Sequence, residues 1–290
     1  MRIWMMWKSL FIAILLFINF FPSFVSADKV MYTNEVAVLV YHHIDDQVQG
    51  PVTISTKLFE KQMEAMLRQG YRFITMDQFK KFMSEKADVP DNAVLVTFDD
   101  GYESFYTKAF PILKKMRIPA VNFVITKGLE DPKGTLLASL SRDEIKQMRK
   151  EFSGVDFQLH SDQMHAMKDG KPLLSNKITT NGVTETDNDF KQRVINDTRK
   201  CMTKIRDING AKSVDSYAYP FGSFDDQTIS FLHEAGVKFA FTTKAGMTNV
   251  ETDPMQVPRI NAGSPYIRPL SINNLIKQAL RHQIPDLTKN

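Results

Sequence analysis

Cysteine is all but missing from this chain of 290 residues: Cys201 is the only one. A lone thiol closes no internal disulfide, so the fold must rest on its apolar core. A strong charge of either sign is missing too, with 37 Lys and Arg facing 33 Asp and Glu for a formal net charge of +4. The basic residues are scattered, which removes the electrostatic footprint of a nucleic-acid binder. No internal repeat or low-complexity tract is visible, which excludes solenoids and arrays. The one sizeable apolar run, from Leu10 to Phe24, is interrupted by Asn19 and Pro22 and is short for a full membrane span.

That run has the marks of an export signal. Arg2 and Lys8 flank its start, and Val25-Ser26-Ala27 fits a small-residue cleavage site. Residues 1–27 are read as a secretory signal peptide, with an uncleaved anchor as the rival, and residues 28–290 as one domain. No Cys stands just after the cleavage site, which argues against a lipoprotein. Without Arg2 and Lys8 the balance is 35 basic against 33 acidic residues. A secreted protein without disulfides suits a bacterial surface.

Past this segment, strand and helix signals alternate. Apolar runs predict strands at 36–41, 72–75, 93–98, 120–125, 155–159, 216–219, 239–243 and 257–260. Helical spacing predicts helices at 56–69, 76–84, 102–116, 141–150, 188–209 and 226–235. Ser141 and Glu144 have the spacing of a capping box. Repeated β-then-α units imply a parallel sheet covered by helices, and the length suits a single-domain (β/α) barrel. The polar stretch 169–186 shows no periodicity and reads as a long surface loop, either a substrate rim or a disordered insertion.

Two motifs carry chemistry. Thr97-Phe98-Asp99-Asp100-Gly101 follows the apolar run Ala93-Val94-Leu95-Val96, so two adjacent carboxylates stand where a strand ends. Like charges in close company need a cation or a shared proton. Alone, the pair would be an ordinary polar turn closed by Gly101. Downstream, Phe157-Gln158-Leu159-His160-Ser161-Asp162-Gln163-Met164-His165 places one imidazole at a strand end and another five residues on. That spacing does not put both on one helix face, so a loop must turn back to join them. A carboxylate with two imidazoles is a three-ligand metal set with a position left open for water.

With Tyr219-Pro220-Phe221-Gly222, these motifs resemble, in order and distance, the polysaccharide deacetylases of carbohydrate esterase family four, the NodB-homology domain. The resemblance runs from about Val36 to Arg259. Three features depart from the usual pattern. The imidazoles are five residues apart instead of four. Ala218 stands where an Arg is usual. A late Leu-x-His motif is replaced by Val257-Pro258-Arg259-Ile260. The deacetylases of poly-β-1,6-N-acetylglucosamine, including the intercellular-adhesin type of biofilm formers, are similar in the longer spacing, the missing late His and an aromatic-His pair on the first strand. Here that strand ends Tyr41-His42-His43.

The resemblance implies a distorted TIM-like barrel and a secreted N-deacetylase of an N-acetylglucosamine polymer. The poly-β-1,6-linked polymer comes first, with peptidoglycan, chitin oligomers or xylan as alternatives. It implies that Asp100, His160 and His165 hold one divalent ion, zinc first, with cobalt, nickel and iron(II) also suited. Asp99 would be the general base, His42 the acid for the leaving amine, and the backbone N–H of Phe221 the oxyanion donor. Arg259 would orient Asp99 in place of the Arg absent at 218, or would be an ordinary strand-end salt bridge. His43 competes with His42, but neighbours on a strand face opposite ways. His233 suits a helix C-terminus, and His282 reads as a solvated tail residue. Phe98, Tyr102 and Phe105 fit either a sugar groove or the core. The implied partner is an N-acetylated polysaccharide, with no nucleic acid, a peripheral cell-surface association and a monomeric state. A non-catalytic surface carbohydrate-binding protein on the same barrel is the reading from another class.

Overall fold

The structure, a computed structural model, describes residues 29–48 and 50–282. The signal-peptide reading of residues 1–27 lies outside them. Eight strands form one sheet: β1 Val36–Tyr41, β2 Arg72–Phe73, β3 Ala93–Phe98, β4 Ala120–Val124, β5 Val155–Leu159, β6 Ser216–Ala218, β7 Phe239–Phe241 and β8 Ile260–Asn261. Every ladder among them is parallel, in the order β7-β6-β5-β4-β3-β1-β8, with β2 beside the start of β3. Strands buried on both faces read as unbroken apolar runs, and all six residues of β1 and of β3 are buried. The sheet curls into a half-barrel. Its edges are joined through one short segment, in which Val257 bridges Phe241 while Ile260 pairs with Leu39.

Helices α1 Thr56–Arg68, α2 Met76–Glu85, α3 Phe110–Met116, α4 Arg142–Glu151, α5 Asp187–Arg206, α6 Asp226–Ala235 and α7 Ser271–His282 follow in chain order. The capping box of Ser141 with Glu144 is present, and Thr75–Gln78 and Thr186–Asp189 form two more. Alternation along the strands separates two cores. Ala37, Leu39 and Tyr41 join the large cluster shared with most of the helices, while Val36 and Val38 join a second cluster with Leu95, Phe123, Ala218 and Phe241. Phe79 and Phe82 of α2 pack into that second cluster.

Four features depart in detail from expectation. The chain is helical from residue 103 to Met116, as expected, but with a π segment at Phe105–Ala109 ahead of α3. Pro111 has no N–H and its ring crowds the preceding turn, so a regular α-ladder cannot run through. The last strand lies at Ile260–Asn261 rather than 257–260, since Pro258 cannot donate to a ladder. The stretch 169–186 is not structureless. Met167–Lys168 pairs with Lys171–Pro172 around Asp169-Gly170, and Thr179–Thr180 pairs with Val183–Thr184 around Asn181-Gly182. All four turn residues have positive φ, the backbone of two-residue hairpin turns. Helix α7 was not anticipated; it is anchored by buried Ile272, Ile276 and Ala279.

Candidate active site

The site gathers at the C-terminal ends of β1, β3, β5 and β6, where the parallel sheet ends and loops begin. The row Val36, Val38, Val40 on β1 continues to His42, and the row Leu95, Thr97 on β3 continues to Asp99. The Asp99 N–H donates to Tyr41 O at 3.0 Å and extends the ladder by one residue. Strict alternation would send Asp100 to the opposite face. Asp100 has φ 73°, a left-handed backbone that a non-glycine residue rarely adopts. This turn brings both carboxylates to one cavity. Gly101 follows at φ 71°, where a Cβ would lie 2.9 Å from Val124 Cγ1.

Asp99 is buried and grips Arg259 in a two-pronged pair, with Nη1 donating to Oδ1 and Nη2 to Oδ2, both at 2.7 Å. Arg259 Nε donates to Thr242 O at 2.8 Å, and the guanidinium lies 5.8 Å from the Phe123 ring centre. Burial pushes the Asp99 carboxyl upward, but Arg259 overcomes it and holds the group below the ordinary carboxylate range. The sequence left Arg259 open between two roles, and the geometry aims it at Asp99.

Asp100 Oδ1 lies 3.3 Å from His160 Nε2 and 3.3 Å from His165 Nε2. Two donors sharing an ion at bonds of ~2.0–2.1 Å in tetrahedral geometry stand roughly 3.3–3.4 Å apart. Asp100 Oδ1 is buried and has no aligned hydrogen-bond partner, which a bound cation would supply. His160 Nδ1 is 2.8 Å from Ala218 O. A carbonyl only accepts, so that nitrogen carries a proton and Nε2 is the nitrogen turned towards Asp100 for a metal to use. Burial, with His160 nearby, pushes His165 down to about 4, so it is neutral and able to ligate near pH 7. The three side chains therefore fit a metal ion.

His42 and His43 part as alternation requires. His42 Nε2 is 3.9 Å from Asp99 Oδ2. His43 turns away, with Nδ1 2.9 Å from Ser104 Oγ and Nε2 3.7 Å from Asp45 Oδ2. Burial lowers the His42 pKa against the opposing pull of Asp99 and Asp100. Its Nδ1 is buried without a hydrogen-bond partner.

Phe221 closes the cavity. It has φ 59° and ψ 11°, its ring centre lies 4.4 Å from that of His165, and it is 44% exposed. Strain in a bulky left-handed residue persists where surrounding structure enforces it. Gly222, at φ 67°, would place a Cβ 2.1 Å from Thr243 Oγ1. The cavity measures about 200 Å³, with Tyr219 and Thr243 completing its wall. A second cavity of about 360 Å³ shares Asp100 and His165 with it and is flanked by Tyr102, Lys127, Leu137 and Ser139. A larger groove beside α3, lined by Tyr106 and Phe110, holds no histidine.

Phe98 and Phe105 belong to the core, whereas Tyr102 lines the second cavity. His233 is exposed on α6, where its carbonyl accepts the Gly236 N–H. Cys201 is buried in α5. Sequence reasoning missed Thr243, which reaches the cavity from the end of β7, and Asp197 on α5. No local pattern marks either one.

Fold and site together define a class: a curled parallel α/β barrel whose C-terminal mouth carries an acid pair and two convergent imidazoles. The family model for polysaccharide deacetylases matches residues 86–240, and the chain belongs to that family. The match takes in Asp99, Asp100, His160, His165 and Phe221 but not His42 or Arg259. A poly-beta-1,6-N-acetyl-D-glucosamine N-deacetylase of Staphylococcus aureus is 29% identical over 210 residues, 72% of this chain and 67% of the relative. The BpsB deacetylase domain of Bordetella bronchiseptica superposes with a TM-score of 0.67 at 25% identity, over 78% of this chain and 95% of that one. The IcaB structure from Ammonifex degensii superposes with a TM-score of 0.66 at 26% identity, over 79% and 92%.

Proposed function

We propose that this protein is a secreted, metal-dependent hydrolase that removes N-acetyl groups from poly-β-1,6-N-acetylglucosamine. The observation that carries the reading is the convergence of Asp100, His160 and His165 beside the Arg259-held Asp99. Similarity to a curated deacetylase of that polymer, over 72% of the chain, favours this substrate within the family. Export rests on the sequence pattern of residues 1–27. The small cavity accommodates an acetamido group and not a polymer, so the sugar chain would lie across the open mouth, over Phe221 and Tyr102.

Asp100, His160 and His165 would hold the ion, zinc first, with cobalt, nickel and iron(II) also suited to this donor set. When bound, the metal acidifies water and polarises the acetyl carbonyl. Asp99 accepts the proton that water loses as its oxygen adds to the carbonyl carbon. Arg259 keeps both Asp99 oxygens aimed during this step. The backbone N–H of Phe221 donates to the developing oxyanion. His42 protonates the amine nitrogen as the C–N bond breaks, and transfer from Asp99 to His42 resets both groups. Acetate and a free amine leave, and the amine is cationic at neutral pH.

The test is release of free amine from defined N-acetylglucosamine oligomers, with and without chelator. Chelation should abolish release and added zinc should restore it. Asp99→Asn should keep the metal and lose ~10²–10⁴-fold in rate, the usual worth of a general base. Asp100→Asn should instead lose metal. Full activity in chelator, or the opposite pattern in the two variants, overturns the assignment.

A further inference from the structure

The five-residue spacing of the imidazoles needs a turn that brings His165 back onto His160, and the sequence does not say what holds it. The structure does. The turn begins at Ser161, which has φ 72°. From there Ser161 O, Asp162 N–H, Asp162 O and Gln163 N–H are each held by another element. Ser161 O accepts from Thr126 N–H at 3.1 Å, and Asp162 O accepts from Lys127 N–H at 3.2 Å, both just past β4. The Asp162 and Gln163 N–H groups donate to Asp197 on α5, at 2.9 Å to Oδ1 and 2.8 Å to Oδ2. One carboxylate thus grips two successive peptide groups between the two imidazoles.

The Asp162 side chain, 1% exposed, reaches the same helix. Its Oδ1 accepts from Thr126 Oγ1 and from Lys204 Nζ, each at 2.7 Å, and its Oδ2 lies 2.8 Å from Lys200 Nζ. Lys204 Nζ also reaches Glu130 at 2.9 Å. Asp197, Lys200 and Lys204 stand three and four residues apart, on one face of α5. None of them touches the cavity.

We propose that Asp197 is a positioning residue for the metal centre: by holding the turn at Asp162 and Gln163 it seats His165 against Asp100 and His160, and so sets the affinity for the ion. Asp162, clamped by Lys200 and Lys204, is the second anchor of the same turn. Removing either anchor leaves His160 in place, since it is fixed by β5 and by Ala218 O, and frees His165. The metal would then keep two ligands and lose the third. This inference rests on the reading that Asp100, His160 and His165 bind a metal.

The test is zinc affinity by competition with a chromophoric chelator, together with the visible absorption of the Co(II)-substituted full chain. Asp197→Ala should weaken zinc binding ~10–100-fold, the usual effect of losing an outer support of a metal ligand. The Co(II) band should shift, because a ligand has moved. The thermal midpoint in chelator should change little. Should Asp197→Ala fail to fold, Asp197→Asn is read the same way, since its amide can accept from only one of the two N–H groups. Lys191→Ala, elsewhere on α5, should bind zinc as the wild type does. Wild-type affinity and an unshifted Co(II) band in the Asp197 variant overturn the inference. Failure of the wild-type protein to bind zinc or Co(II) overturns the metal reading beneath it.

Discussion

Asp99 and Asp100 are chemically identical neighbours made different by one backbone angle and one guanidinium. The left-handed φ at Asp100 turns it towards the imidazoles, while Arg259 occupies both oxygens of Asp99. A similar division separates the two adjacent histidines. His43 is tied to Ser104 and Asp45, whereas His42 faces Asp99. His42→Ala should therefore cut turnover of an N-acetyl substrate strongly. An activated aryl acetate should suffer much less, because its leaving group needs no proton. His43→Ala should be mild on both. Equal losses on amide and ester from His42→Ala, in paired kinetic assays, would remove His42 from the acid role. The residue types at the site were legible in sequence because strand-end carboxylates and imidazoles are unusual there. The job of Arg259 was left open between orienting Asp99 and an ordinary salt bridge, because its partner lies 160 residues away.

At the level of elements, strands and capped helices followed from local pattern, since burial period and capping chemistry act over a few residues. The misreadings were local as well. The helix that apolar spacing predicts is present but carries a π segment just before Pro111. Asp169-Gly170 and Asn181-Gly182 are hairpin turns inside a stretch that looked featureless. The joint from β3 to the following turn has little freedom to change. Gly101 combines a left-handed backbone with close contact to Val124, a residue of β4 that packs in the larger core. Gly101→Ala should destabilise the protein by ~1–3 kcal/mol, from backbone strain and overpacking together. It should also weaken zinc binding by displacing Asp100. Chemical denaturation and metal titration of the same variant check both, and an unchanged denaturation midpoint would show that the turn absorbs the methyl group.

Across the whole molecule, a carboxylate outside the cavity makes stability depend on pH. Burial pushes Asp197 up to about 6, against ~3.9 for a free Asp side chain. The native state therefore holds this proton more tightly than the unfolded chain does. The stability that this group contributes is full below pH ~4 and is lost as pH rises through about 6. Asp197→Asn removes that slope. In chelator, the stability of wild type relative to Asp197→Asn should fall between pH 5 and pH 7, measured by urea unfolding at each pH. A difference that stays constant across the two would mean that Asp197 titrates like an exposed carboxylate. Among the described residues no helix is long and apolar enough to cross a membrane, so any membrane anchoring by a helix would have to come from outside them.

Sequence by itself determined the alternation of strands and helices, the parallel sheet it implies, and the carboxylates and imidazoles that stand at strand ends. These depend on side-chain period and turn chemistry, which neighbouring residues carry among themselves. Spacing could not choose between the carboxylates, and the resemblance left Arg259 between two roles; tertiary structure put Asp100 against the imidazoles, set Arg259 on Asp99, and showed that α5 grips the turn between His160 and His165. Each of those depends on contacts between segments far apart in the chain. They come into being only when the sheet curls and brings its strand ends to one mouth.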